Sequence, residues 1–502
     1  MCLRASVVKD FRIELMPNNP THIDLQAIAK ELVQQRGFDP DFPPAVQAQL
    51  ASLRANPPQV AVTKDVRDLR NLLWSSIDND TSRDLDQIEV AERLLNGNVK
   101  VSVGVADVDA YVPKLSAIDQ HAARETTTVY AGVRNFSMLP EELSTGKTSL
   151  LENQDRLSVV VEFTVDAGGH VIGSDVHRAL VRNHAQLQYN SLGAWLEGTA
   201  AAPPKVAAST DLQAQLHLQN ETAQKLKEKR FENGALSLQT NELQPLMLDD
   251  QVVDVQKQQK NHATELIEDF MIAANGVVAR MLEKVSSLRR IVRKPERWDR
   301  IVQLAAEHGE KLPPDPDSKA LNDFLLRRKA AAPDRFADLS LAVVKLIGPG
   351  EYVLERPGDP APGHFGLAVQ DYTHSTAPNR RFPDIVTQRL IKAMLGGQPN
   401  PYSDAELTAI AANCTGKENA ARKVEREMAK RLAAVAMQNR IGATFDALVT
   451  GVTSNGTFVR ALQPHVEGLL AQGAKGLDVG DKLRVKLIRT DVQHGFIDFA
   501  RT

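Results

Sequence analysis

Five carboxylates crowd one stretch of twelve residues: Asp78, Asp80, Asp84, Asp86 and Glu89. Like charges this close repel, so a cation is their natural neutraliser, and hard oxygen donors select Mg²⁺ or Mn²⁺ over zinc. Asp84 and Asp86 stand two apart and share a face if the segment is extended. Asp78 then has to reach back over a turn made by residues 79–83. An acidic surface loop would have the same composition, because charge runs usually face solvent. Two features argue for a site instead. Arg83 is the one cation interleaved in the cluster, and a mostly apolar approach, residues 69–77, feeds directly into it.

A second group with chemical potential lies far along the chain. Pro378 and Asn379 make a turn ahead of Arg380 and Arg381. An arginine fork grips phosphate through parallel charge-assisted bonds and can neutralise charge that develops in a transition state. The third piece is an apolar helix around residues 266–275 that keeps Glu268, Asp269 and Asn275. Buried polar groups must offset their desolvation with partners. For Asp269 and Asn275 the simpler role is to hold helices together. No Ser-His-Asp or Cys-His arrangement competes with these groups.

Taken in order, the motifs resemble the RNB catalytic domain of the ribonuclease II / ribonuclease R family of 3′-to-5′ exoribonucleases. Asp65-Val66-Arg67-Asp68-Leu69-Arg70, Ser76-Ile77-Asp78 and Asp84-Leu85-Asp86 carry the first part of the likeness. The stretch Tyr372-Thr373-His374-Ser375-Thr376-Ala377-Pro378-Asn379-Arg380-Arg381-Phe382-Pro383-Asp384 carries the second. The resemblance implies Mg²⁺ (with Mn²⁺ as substitute) on Asp78, Asp84 and Asp86, and a catalytic Arg380. It places Glu268 near the 3′-terminal nucleotide and Tyr189 in contact with it. It makes Tyr130 a base-stacking residue. Phe231 is a second clamp for the bases, for which core packing is an equal reading. Arg381 and Asp384 match as structural residues, and Arg381 is also a candidate RNA contact. The implied reaction is processive hydrolysis of RNA from its 3′ end to nucleoside 5′-monophosphates.

One departure stands out: the family's fourth aspartate position is Gln87 here. An amide is a neutral and weaker ligand, so a second ion needs Asp80 or Glu89 to compensate. Gln87 also supports a rival reading, an RNB-like RNA-binding or regulatory protein with little or no turnover. A metal phosphoesterase acting on small molecules is a third reading, disfavoured by the C-terminal domain described next.

Residues 441–502 read as five short strands with glycine at the turns, the plan of an OB-fold. Their order resembles an S1-type RNA-binding domain. Phe458 and His465 are its candidate RNA contacts, while Phe445 fits the barrel core. Residues 59–440 read as one large α/β block, with strands over 99–111 and 157–171 and a long buried helix over 265–285. Further helices are expected over 301–308, 321–332 and 404–438, the last dense in Lys and Arg as a solvated, ion-paired helix would be. Residues 1–58 form a helical module. Asp24 caps one helix, Gly37 stops it, and Pro43-Pro44 opens another. A helix-turn-helix or winged-helix unit and a small packing appendage are equal readings of it. The two cold-shock OB domains with which typical family members begin have no counterpart in length or alternation.

Composition sets outer bounds. The net charge of −3 over 502 residues predicts no general affinity for polyanions, so any RNA contact must be a local basic track. Two cysteines, Cys2 and Cys414, make neither a disulfide framework nor a zinc site and fit a reducing cytosol. No apolar run approaches the ~20 residues of a membrane span, and no secretory leader is evident. Met16 is an alternative start to Met1. The expectation is a cytoplasmic monomer whose partner is RNA with a single-stranded 3′ end, including structured RNA with a 3′ overhang.

Overall fold

The computed structural model describes residues 23–239, 243–248, 251–257 and 260–502. The two candidate starts, Met1 and Met16, lie outside the described residues, as does Cys2.

Two helices lead the described chain. In α1 (Leu25–Gln35) the Asp24 carboxylate accepts the Ala27 amide at 2.9 Å, and the helix stops where Gly37 takes φ +83°, a conformation that suits glycine. Proline opens α2 (Pro44–Ala55), where its missing N–H is no loss. The body covers both apolar faces. Ala29, Leu32 and Val33 pack with Val129, Phe136, Val424 and Met428, and Val46 and Leu50 join the main core. That covering is what a packing appendage requires.

The catalytic body is built on strands β1 (Arg67–Asp68), β2 (Trp74–Asp78), β3 (Gln87–Arg93) and β4 (Val99–Ala106), then helix α3 (Ala117–Glu125) and the small hairpin β5 (Val129–Tyr130) and β6 (Asn135–Phe136). Strands β7 (Asp155–Val165) and β8 (Val171–Gln188) complete a six-stranded sheet in the order β1-β8-β2-β3-β4-β7. β8 is the joint. Residues 171–182 pair antiparallel with β7, and residues 183–188 pair parallel with β2. The sheet therefore curls back on itself. Its middle strands bury residues on both faces, which is why β4 is almost wholly apolar and buried.

Helices α4 (Tyr189–Leu196), α5 (Pro204–Ala207), α6 (Thr210–Glu232) and α7 (His262–Met281) follow. Phe270 of α7 meets Phe163 of β7 edge-on, with ring centroids 6.1 Å apart. β9 (Leu243–Leu248) and β10 (Gln251–Lys257) pair antiparallel, as do β11 (Ser287–Ile291) and β12 (Glu351–Glu355). Between the latter two, α8 (Trp298–Glu307), α9 (Ser318–Ala331) and α10 (Pro333–Ile347) gather a separate apolar core around Trp298, Ile301, Phe324 and Phe336. The stretch that reads as one block in sequence thus holds more than one core. α11 (Phe382–Leu395) is buried along most of its length, and α12 (Asp404–Gln438) is the longest helix, capped by Ser403 with Glu406. Arg422, Lys423, Arg426 and Lys430 lie on the exposed side of α12.

The chain ends in a closed barrel of β13 (Thr444–Thr453), β14 (Gly456–Ala461), β15 (Glu467–Gln472), β16 (Lys482–Asp491) and β17 (Phe496–Arg501), ordered β13-β14-β15-β17-β16. Val449, Val459, Val485, Leu487 and Phe499 fill it, and Ala433 and Met437 from the end of α12 share that core. Phe445 stands edge-on to Phe499 at 6.3 Å, the packing role its position suggested. Among the described residues, no helix is long and apolar enough to cross a membrane.

Candidate active site

The parallel pair β2 and β8 ends together. Asp78 pairs with Gln188 as the last register of that ladder, so Asp78 and Tyr189 emerge at neighbouring strand ends, the usual place for a site in such a sheet. Tyr189 is fixed from behind. Asn261, the residue that caps α7, donates its side-chain amide to the Tyr189 carbonyl at 3.0 Å. Gly193 permits that approach, since a Cβ there would lie 2.2 Å from the Asn261 side chain.

After Asp78 the chain turns, with the Ser82 amide donating to the Asn79 carbonyl at 3.1 Å. Residues 79–86 are not a strand, so alternation does not place Asp84 and Asp86. Anchors do. Leu85 between them is wholly buried. The Ser149 hydroxyl accepts the Leu85 amide at 2.9 Å and donates to the Arg83 carbonyl at 2.7 Å. Asp80 and Arg83 face solvent.

Asp86 is 2% exposed and is met from the other end of the chain. The Asn379 backbone amide donates to its Oδ1 at 2.8 Å, and Arg380 Nε donates to its Oδ2 at 3.2 Å. Asn379 is itself held by the Thr148 hydroxyl, which donates to its Oδ1 at 2.5 Å. A short backbone clip brings in the aromatic. Thr127 and Arg381 form an antiparallel bridge, the Thr128 amide donates to the Arg380 carbonyl at 3.0 Å, and the Phe382 amide donates to the Thr126 carbonyl at 2.8 Å. Tyr130, three residues beyond Thr127, thereby lines one cavity together with Arg380, and the two bear on each other's ionisation.

The electrostatics are those of a buried anionic cluster. Burial pushes Asp86 up to about 7 against the pull of Arg380, and pushes Asp78 up to about 6. Asp84 is raised for the same reason. Burial opposes the charge on Arg380, yet Tyr130, Asp86, Asp78 and Asp84 together hold it more firmly protonated than usual. Tyr189 is raised by burial and then by Asp78 and Glu89. The all-oxygen donor set of Asp78, Asp84 and Asp86 could hold a hard divalent cation. Their ligand atoms do not all come within 4.8 Å of one another. Among the described residues only Glu162, Asp175 and His177 do so, and Arg67 is the cation there, 3.0 Å from His177 Nδ1 and 3.1 Å from Asp175.

The other residues singled out from sequence divide. Asn275 accepts the Ser375 amide at 2.9 Å and hydroxyl at 2.8 Å, tying α7 to the arginine motif. Arg381 is held by Asp384 at 2.7 Å, as a structural pair would be. Glu268 pairs with Lys260 at 2.5 Å and Arg230 at 3.8 Å, and no hydrogen bond or ion pair joins it to Asp86 or Arg380. Phe231 lies in the last turn of α6, its ring 5.5 Å from the Arg230 guanidinium. Phe458 is half-buried, alternating with the buried Thr457 and Val459, so it sits on the outer face of the barrel. His465 lies in the loop before β15. Sequence gave no hint of Thr148 or Ser149, which belong to no motif. Asn379 read only as a turn, though its amide orients Asp86. His374 and Tyr352 also went unread. They share a hydrogen bond of 2.7 Å and line a cavity of about 130 Å³ beside Tyr130 and Arg380. Burial, then Arg381 and Arg290, hold His374 neutral.

The chain belongs to the RNB domain family: that domain's sequence profile matches residues 66–397, and the RNase II-type exonuclease C-terminal S1 domain matches residues 443–502. Its relatives include Ribonuclease R of Escherichia coli (strain K12), 32% identical over 449 residues, a match covering 86% of this chain and 54% of that protein. Ribonuclease R of Thermotoga maritima is 30% identical, covering 86% of this chain and 64% of that one. The chain thus spans roughly half to two thirds of the length of these relatives. Among solved structures, Mycoplasma genitalium RNase R in complex with ribose-methylated single-stranded RNA shares the fold, with a TM-score of 0.83 at 22% identity, over 95% of this chain and 78% of that one. Its complex with double-stranded RNA gives 0.82, at 22% identity over 95% of this chain and 83% of that one.

Proposed function

We propose that this chain is a Mg²⁺-dependent, processive 3′-to-5′ exoribonuclease that hydrolyses RNA to nucleoside 5′-monophosphates. One observation carries the reading: Arg380 reaches Asp86 at 3.2 Å across 294 residues of sequence, with Asp78 and Asp84 near enough for their charges to act on the same guanidinium. Buried carboxylates beside an arginine have little structural value, because desolvation offsets most of their attraction. As a phosphoryl-transfer site the same set is useful. A bound divalent cation would lower the pKa of a water and neutralise phosphate oxygens. Arg380, half-exposed toward the pocket, would take the charge that develops on the phosphate. Tyr130 would stack on a base, Tyr189 would bear on the terminal nucleotide, and Glu268 would act in its neighbourhood. The RNA-bound structures of the Mycoplasma relative support RNA as the substrate class.

Gln87 favours a second reading, a binder with weak or no turnover, and a yeast Ssd1 pseudonuclease shares the fold at a TM-score of 0.68. Incubating the protein with 5′-end-labelled RNA and Mg²⁺ separates the two. A descending ladder or mononucleotides marks an exonuclease, and a shifted intact band marks a binder.

A further inference from the structure

The N-terminal helices stand outside the two matched domains, which begin at residues 66 and 443, yet they pack against the segment that carries Tyr130. The β5–β6 hairpin has two residues a side, too little to hold its own shape in water. Its buried residues Val129, Ala131 and Phe136 take no part in the main core. They belong to a small core of ten buried residues, and four of these, Ala29, Leu32, Val33 and Phe38, come from α1 and the turn after it. The remaining three, Ala421, Val424 and Met428, belong to α12.

The pleat turns this packing into aim. Val129 faces the small core at 1% exposed, so its neighbour Tyr130 points the other way, at 39%. Glu425 of α12 accepts the Tyr130 amide at 3.2 Å. α1 is tied to the same helix. Lys417 donates to the Gly37 carbonyl at 2.6 Å and stands 4.4 Å from the centre of the Phe38 ring, and Arg36 pairs with Glu427. The module also holds the other flank of the segment. The Asp39 amide donates to the Glu125 carboxylate at 3.0 Å. Glu125 ends α3, and Thr126 after it takes φ +61°, a left-handed conformation that a β-branched residue keeps only where its surroundings hold it. The clip to Arg380 and Arg381 begins at the next residue. Residues 125–136 are thus gripped at both ends by residues 29–39.

We propose that Phe38 and Asp39 are positioning residues for the base clamp: from behind, they hold the hairpin and the clip so that the Tyr130 ring stands where a base can stack on it. This rests on the reading of Tyr130 as a base-stacking residue. In this role the N-terminal module acts on RNA through Tyr130 and needs no contact with RNA of its own.

The test uses the full chain in chelator, so that nothing is cleaved, with a single-stranded oligoadenylate as probe and Kd read by fluorescence anisotropy. Tyr130→Ala should weaken binding about tenfold, the size of one stacked base. Phe38→Ala should weaken it about threefold, a coupling at the low end for side chains that share a packed core, and Phe38→Leu should restore most of the loss. Added to Tyr130→Ala, Phe38→Ala should cost no further affinity, while it lowers Tm equally in both backgrounds. Glu125→Ala removes the acceptor of the Asp39 amide. It should show the same dependence on Tyr130, and it stands in if Phe38→Ala folds poorly. Losses of affinity that add independently of Tyr130 would overturn the proposal, as would unchanged affinity in both Phe38→Ala and Glu125→Ala. A Tyr130→Ala protein that binds as the wild type does would remove the base-stacking reading itself and the proposal with it, so that single variant tells the two failures apart.

Discussion

The carboxylate cluster and the C-terminal barrel hold their candidate RNA-contacting groups in opposite ways. In the pocket, Asp86 is buried and held through a backbone amide, an arginine and, behind Asn379, the Thr148 hydroxyl. In the barrel, Phe458 sits half-buried on the outside of a strand whose core is complete without it. Chemistry needs charges fixed to within fractions of an ångström, and that costs desolvation. Stacking needs a flat face and tolerates any base, so it is served by side chains the fold does not depend on.

The sharpest way to break this contrast is at the pocket. Asp86→Asn and Arg380→Ala should each lower single-turnover cleavage by about a thousandfold, with RNA affinity nearly unchanged in filter binding. Equal loss of affinity and turnover would remove the distinction. In the barrel, Phe458→Ala should weaken RNA binding by about tenfold, within the 1–3 kcal/mol typical of a stacked base, and leave single-turnover cleavage at saturating RNA unaltered. A fall in that rate would tie the barrel into the chemistry.

A milder effect separates the regions by pH. Asp86 and Asp78 titrate near 7 and 6, and a cation competes with their protons. At subsaturating Mg²⁺, activity should rise with pH through this range, and more Mg²⁺ should move the midpoint downward. The stability sign is opposite. These acids have folded pKa values above their unfolded ones, so in chelator they favour the fold only while protonated, and that contribution fades as pH climbs from about 4 to about 7. RNA affinity of the barrel contacts should not follow this profile. A midpoint indifferent to Mg²⁺ would argue against cation–proton competition. Smallest of all, Asp24→Ala should cost about 1 kcal/mol of stability through the lost helix cap, read as a lower Tm, and leave cleavage alone.

How far the sequence revealed this arrangement depends on whether spacing or burial carries the information. Asp78, Asp84, Asp86 and Arg380 were legible because their types and intervals are unusual for a surface, and the five barrel strands because glycines mark their turns. Glu89 was named with that cluster, but its complete burial was not legible, because an acidic run in sequence gives no sign of which member the sheet covers. Its strand lies in the interior of the sheet, between β2 and β4, and nothing local in β3 signals that. Thr148 and Ser149 were invisible because supporting hydroxyls carry no motif. Glu268 illustrates the reverse. Its position matched, while its bonds go to Lys260 and Arg230.

The clip between Thr127 and Arg381 ties the residue that would feel a base to the residue that would feel the phosphate. Two tasks usually served by separable parts then share one rigid handle. A nucleotide whose sugar has lost its base would leave Tyr130 without a partner, and the displaced ring would carry the guanidinium off its mark. Such an end would be held yet turned over slowly, a form of proofreading for intact nucleotides that needs no dedicated sensor.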